Sequence, residues 1–145
     1  MGEIANMSAG KELGGIIHTY QKFDPVNFDE GMQKVLIAGG HDVCTRRAWR
    51  PHAFGTDPTH AHYLISQRGY FDFLEVRRKL KNILSLFLGR YTGETGRPWF
   101  AADGSSKQVK DQDHFDYLVN RYLPDHRGVF WKEGLSLPTI PDNIL

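Results

Sequence analysis

Thr59-His60-Ala61-His62-Tyr63-Leu64-Ile65-Ser66 sets two imidazoles, one small apolar residue apart, at the head of an apolar run. In an extended strand successive side chains alternate faces, so His60 and His62 project from the same side, about 7 Å apart along the strand. Ala61 and Tyr63 turn to the other face. Two imidazoles on one face with nothing bulky between them can hold a divalent cation, the commonest task of paired histidines. The plainer reading is two partly buried histidines on a sheet face, and for an isolated His-x-His that reading comes first. The surrounding sequence shifts the balance.

Working outward, Asp57-Pro58 reads as a tight turn, with a strand before it over residues 48–56, kinked or edged by Pro51. Downstream lies the strongest helical pattern of the chain, residues 71–90. There Phe73, Leu74, Val76, Leu80, Ile83, Leu84, Phe87 and Leu88 make an apolar stripe. Upstream, residues 16–23 are β-branched and aromatic and read as a first strand, broken by Asp24-Pro25. Residues 28–38 have helical spacing, and Gly39-Gly40 is the expected stop. Trp99-Phe100-Ala101-Ala102 reads as a further strand, and residues 103–106 as a turn into Lys107-Gln108-Val109. A last helix runs over residues 111–123, opened by acids that suit its dipole and closed by Pro124.

The order is therefore strand, helix, strand, strand, helix, strand, helix. It implies an α+β fold, a ferredoxin-like or RRM-like antiparallel sheet with helices packed on one face. Residues 1–14 read as a loose N-terminal segment, 15–135 as a single domain and 136–145 as an irregular tail. A chain of 145 residues with 40% hydrophobic content suits one domain with a real core.

Charge is more telling in its distribution than in its sum. The formal net charge of +1 excludes a global attraction to polyanions. Yet from Arg77 to Arg97 the chain carries Arg77, Arg78, Lys79, Lys81, Arg90 and Arg97 against one acid, Glu94. Such a run is a local footprint for phosphate, although most charge runs are solvated helix faces. The lone Cys44 excludes an internal disulfide and fits a reducing compartment; with no long apolar run, a cytoplasmic protein is expected.

The last helix adds a phenol. Phe115, Leu118, Val119 and Tyr122 follow i, i+3, i+4, i+7 spacing and share the face that must pack on the sheet. Tyr117 falls on nearly the opposite face. A tyrosine on an apolar helix face is most often core with its hydroxyl at the rim. Beside a histidine-bound cation, however, it completes the equipment for cutting a phosphodiester: a polarising metal and an attacking oxygen.

With these blocks in place, the chain resembles the single-tyrosine HUH transposases, including the REP-associated tyrosine transposases. The likeness rests on three blocks in order. Residues 51–65 look like the family's strand, turn and His-hydrophobic-His segment. Residues 80–100, with Arg90-Tyr91 and Gly96-Arg97-Pro98-Trp99-Phe100, look like its basic helix running into a Trp-containing strand. Residues 109–124, ending Asn120-Arg121-Tyr122-Leu123-Pro124, look like its tyrosine helix. The likeness spans residues 16–131, so 15–135 would be an HUH nuclease-like domain.

The resemblance implies a nuclease that nicks single-stranded DNA, including hairpin-containing DNA, with Mg²⁺ or Mn²⁺. It would hold the 5′ end on tyrosine and pass it to another 3′ hydroxyl. His60 and His62 match the metal ligands, and Tyr122 matches the nucleophile, with Tyr117 as its rival. His126, one turn after the tyrosine and beyond Pro124, falls where some members carry a further ligand. Arg77, Arg78, Lys81, Arg90 and Arg97 would hold the DNA backbone, while Trp99, Phe100 or Tyr91 would meet bases. Some members form homodimers. Two other readings stand beside this one: a catalytically silent binder of single-stranded nucleic acid, and a hydrolase of small phosphoesters built on His52, His60, His62 and His126.

Overall fold

The computed structural model describes residues 5–8, 12–20, 27–94, 96–100 and 105–145. Among them, six strands form one antiparallel sheet. In chain order these are β1 (Ala5–Ser8), β2 (Glu12–Tyr20), β3 (Arg50–Thr56), β4 (His60–Arg68), β5 (Ser105–Gln108) and β6 (Phe130–Lys132). Helix α1 (Glu30–Arg46) connects β2 to β3, and α2 (Phe73–Thr92) connects β4 to β5. The spatial order is β5, β2, β4, β3, β6, with β1 sharing the outer edge of β2 with β5. This is the expected ferredoxin-like α+β arrangement, extended by a strand at each end.

Each helix opens on an aspartate whose carboxylate takes an orphan backbone N–H. Asp29 accepts from Met32 N at 2.8 Å, Asp72 from Glu75 N at 3.2 Å, and Asp111 from His114 N at 2.8 Å. Helix α2 closes on Gly93 in the left-handed region (φ 80°).

Alternation along β4 divides the core in two. Ala61, Tyr63 and Ile65 join Ile17 and Phe54 under α1 and α2, in the large cluster with Leu36, Val76, Leu80 and Leu84. Leu64 turns the other way, with Ile16 and Ala53, and is covered by Phe115, Leu118, Val119 and Leu123. Thus α1 and α2 take one face of the sheet. The helix α3 (Gln112–Tyr117) takes part of the other.

Three expectations change. Helix α1 does not stop at Gly39-Gly40 but continues to Arg46. A Cβ at Gly40 would lie 2.5 Å from the Tyr63 ring, and one at Gly39 would lie 2.7 Å from Phe87. These glycines let helix and rings approach, and do not end the helix. The fourth strand of the motif is Ser105–Gln108, of which Ser105 and Ser106 were expected to turn; among the described residues it pairs only with β2, and an edge strand needs little apolar content. Of the strand expected at residues 99–102, Phe100 makes a single bridge, and Ala101 and Ala102 lie outside the described residues.

Strand β2 begins four residues earlier than the expected Ile16, at Glu12, and pairs with β1 inside the segment expected to be loose. Residues 136–145 are irregular, yet Ile144 is buried and Arg90 donates to its carbonyl at 2.9 Å. No helix among the described residues is long and apolar enough to cross a membrane.

Candidate metal centre and tyrosine

The site forms on the sheet face away from α1 and α2, at the end of β4 where the Asp57 turn enters the strand. Oδ1 of Asp57 accepts from Thr59 N (2.8 Å), His60 N (2.7 Å) and Thr59 Oγ1 (3.2 Å), and lies 3.2 Å from His60 Nδ1. A short acidic side chain that folds back onto the following backbone is the usual chemistry of such a turn. Here it also positions His60, whose Nδ1 lies against this carboxylate and 2.7 Å from Thr59 Oγ1. Oδ2 of the same carboxylate faces His62 Nε2 at 4.0 Å.

His60 and His62 stack, ring centroids 5.9 Å apart with planes 19° from parallel, as the strand alternation predicts. His62 is buried and His60 is half-buried.

The second half of the site comes from the segment after β5. Helix α3 passes at Leu118–Tyr122 into a π-helical turn, in which Leu123 N bonds to Leu118 O at 2.9 Å. Such a turn inside an α-helix is a frequent mark of a functional site. It also changes the sequence argument. On a regular α-helix Tyr117 and Tyr122 would lie about 140° apart. Across the wider turn their ring centroids are 6.3 Å apart, so the two rivals are neighbours. Tyr117 is largely exposed, whereas Tyr122 is half-buried on the sheet side.

Pro124 does not carry His126 away from the site. Pro124–His126 winds as a 3₁₀ turn, and His126 Nδ1 bonds to the Tyr122 carbonyl at 2.7 Å. The carbonyl can only accept, so Nδ1 carries the proton and Nε2 keeps its lone pair. The His126 ring lies 4.1 Å from that of His62 and 4.6 Å from that of Tyr122, and the Tyr122 ring stands edge-on to His62 at 5.8 Å. Asp57, His62 and His126 each bring one ligand atom within 4.8 Å of the others. Two imidazoles and a carboxylate, with a third imidazole stacked beside them, are a donor set that fits a divalent cation with modest closure.

Gly55 makes this approach possible. It pairs with His62 across β3 and β4, and a Cβ there would lie 2.8 Å from the Leu123 carbonyl. The end of the tyrosine segment therefore rests directly on the sheet backbone beside the histidine.

His52, offered to the hydrolase reading, does not join this cluster. It is buried, with Nε2 2.6 Å from Ser66 Oγ, Nδ1 3.3 Å from Glu133 Oε1, and its ring edge-on to Phe115. Asp57 was missed as a site residue because its turn position already explained it. The acid three residues before a histidine pair was the only signal.

The basic residues divide. Arg77, Arg78 and Lys81 line one cavity with Trp99 and Phe100. Arg78 also pairs with Glu75 at 2.7 Å. Arg97 pairs with Glu94 at 2.7 Å and lies over the Trp99 ring, 4.3 Å from its centroid, while Arg90 holds the C-terminal tail. Tyr91 packs at the edge of the α1–α2 core.

The ferredoxin-like sheet thus carries histidines, a carboxylate and a tyrosine on the face opposite its two long helices. The same fold occurs in a REP-associated tyrosine transposase whose structure is bound to a REP hairpin. It matches over 81% of this chain and 67% of that one, with a TM-score of 0.56 and 13% identity. It occurs also in a Deinococcus radiodurans R1 protein assigned as a transposase, over 88% and 99% of the two chains, with a TM-score of 0.63 and 11% identity. At these identities the likeness is one of fold. No protein-family model and no curated protein matches the chain.

Proposed function

We propose that the chain is a metal-dependent endonuclease and strand-transferase of the tyrosine transposase kind, acting on single-stranded DNA that includes a hairpin. The observation that carries this reading is the convergence of Tyr122, His62, His126 and Asp57 from two distant segments onto one patch of the sheet. Packing alone does not call for histidines and a carboxylate around a tyrosine at the head of a sheet strand. The fold shared with a hairpin-bound tyrosine transposase supports the choice of substrate.

His60, His62 and His126 would present Nε2, and Asp57 would present Oδ2. A divalent cation held by them would polarise the scissile phosphate and stabilise its added charge. Imidazole-rich sets with one carboxylate suit Mn²⁺ better than Mg²⁺, which prefers oxygen donors and keeps its waters. The remaining chemistry belongs to the chain. Tyr122 loses its phenolic proton and its oxygen bonds to phosphorus. The bond from phosphorus to the 3′ oxygen breaks, and that oxygen leaves with a proton. The phosphotyrosine link preserves the phosphodiester's energy, so attack by a second 3′ hydroxyl reverses the step without a nucleotide cofactor.

Incubation with labelled single-stranded DNA from around the chain's own gene tests this, with Mn²⁺ or EDTA and a denaturing protein gel. The reading expects label on the protein only with metal. Tight, metal-independent binding with no label at any recognised site would leave the silent binder instead.

A further inference from the structure

The two segments that bring Asp57 and His126 together meet a second time, on the α1 side of the sheet. Thr56, the last residue of β3, is buried there, and its hydroxyl lies 2.8 Å from Oε1 of Gln33, a buried glutamine of α1. The Thr56 N–H donates to the Val129 carbonyl at 3.0 Å, and the Val129 N–H donates to the Thr56 hydroxyl at 3.0 Å. A hydroxyl has one proton to give. The Val129 carbonyl, 3.3 Å from Thr56 Oγ1, is already served by a backbone N–H, so that proton goes to Gln33.

The other end of the Gln33 amide completes the chain. Nε2 donates to the Phe28 carbonyl at 2.9 Å, and the Phe28 N–H donates to the Pro58 carbonyl at 2.7 Å. Asp57 is therefore held on both sides, at Thr56 and at Pro58, by bonds that pass through one side-chain amide. The same amide bears on the tyrosine segment. Gly128 follows His126 by two residues, and a Cβ there would collide with the Thr56 carbonyl and with Gln33 Oε1.

We propose that Gln33 is a positioning residue for the metal site: from the opposite face of the sheet, its amide sets the separation of Asp57 from His126. The inference deepens the metal-centre reading and rests on it. Filling the core calls for no amide here, since methionine has a similar volume and no polar ends to satisfy. What the amide adds is direction. Hydrogen bonds in a buried chain fix distances and angles that apolar packing leaves loose. A metal site needs such definition, because its ligands must be held within about 0.5 Å of the productive geometry.

The test compares the full chain with Gln33→Met, Thr56→Val, both together, and Thr56→Ser. Each is titrated with Mn²⁺ by calorimetry well below every thermal midpoint, so that lost stability alone does not register. Gln33→Met and Thr56→Val are each expected to weaken Mn²⁺ binding about tenfold. The double variant should lose no more than either single one, since both break one chain of bonds. Thr56→Ser keeps the hydroxyl and should bind like the parent. Tyr63→Phe, which removes a different buried bond between sheet and α1, is the control for stability. Parent-like affinity in both single variants, or an equal loss in Tyr63→Phe, would overturn the assignment. Amide hydrogen exchange without metal supplies a second readout. Gln33→Met should speed exchange at the His60 N–H, which rests on Asp57, and at the Val129 N–H together. Unchanged exchange at either position would also overturn the assignment. Failure of the parent to bind Mn²⁺ would strike the metal reading instead, and the exchange result would still decide whether Gln33 holds the two segments.

Discussion

The His126 ring lies 4.1 Å from the His62 ring, although a proline separates His126 from the tyrosine helix. The bond from His126 Nδ1 to the Tyr122 carbonyl holds it there and couples the position of the tyrosine to that of a donor. Removing the imidazole should therefore affect metal and tyrosine together. His126→Ala is expected to weaken Mn²⁺ binding at least tenfold, the lower end of what supporting residues of metal sites cost. His126→Gln should restore part of it. Calorimetric titration of Mn²⁺ decides this, and equal affinity in the parent and His126→Ala would remove His126 from the site.

Asp57 has two separable duties. Its Oδ1 organises the turn, and its Oδ2 faces His62. Asp57→Asn keeps an oxygen for the turn but removes the charge. It should lower stability by less than about 1 kcal/mol while reducing Mn²⁺ affinity tenfold or more. Denaturant unfolding and metal titration of the same preparation separate the two. A variant that loses stability but keeps metal affinity would restrict Asp57 to the turn.

Gly55 is the position where fold and site meet. Its missing side chain lets the Leu123 carbonyl rest on the sheet beside His62. Gly55→Val should push the tyrosine segment outward, at an overpacking cost of about 1–3 kcal/mol. DNA cleavage should fall well beyond what that loss of stability explains. Parent-like cleavage would show that the approach is not required.

The opposite face offers a control. Tyr63 adjoins His62 in sequence but points into the α1–α2 core, donating to the Leu36 carbonyl at 3.0 Å. Tyr63→Phe should cost about 0.5–1.5 kcal/mol and leave metal affinity unchanged. Burial also pushes the Cys44 thiol well above its ordinary range, so it stays neutral. Iodoacetamide should label it only in denaturant; rapid labelling of the native chain would contradict its burial.

Much of this was legible in the chain because it depends on local periodicity. The alternation at His60-Ala61-His62-Tyr63 assigned each residue to the face it occupies, and the apolar stripe of residues 71–90 marked α2 almost to its ends. Gly39-Gly40 misled because glycine has two uses, ending a helix or admitting a neighbour, and only the positions of Tyr63 and Phe87 distinguish them. The edge strand Ser105–Gln108 was hidden because strands paired on one side need little apolar content. Tyr117 appeared to lie far from Tyr122 because the sequence gives no warning of a π-helical turn. Asp57 could not be assigned to the site from sequence, since its turn role was sufficient by itself.

The most direct test is to find which atom the DNA is attached to. After reaction with Mn²⁺, the adduct is digested with protease and nuclease, and the peptide bearing the nucleotide remnant is sequenced by mass spectrometry. The account predicts the remnant on Tyr122, and none in Tyr122→Phe or in EDTA. A remnant on Tyr117, 6.3 Å away across the π-helical turn, or on no tyrosine at all, would contradict it.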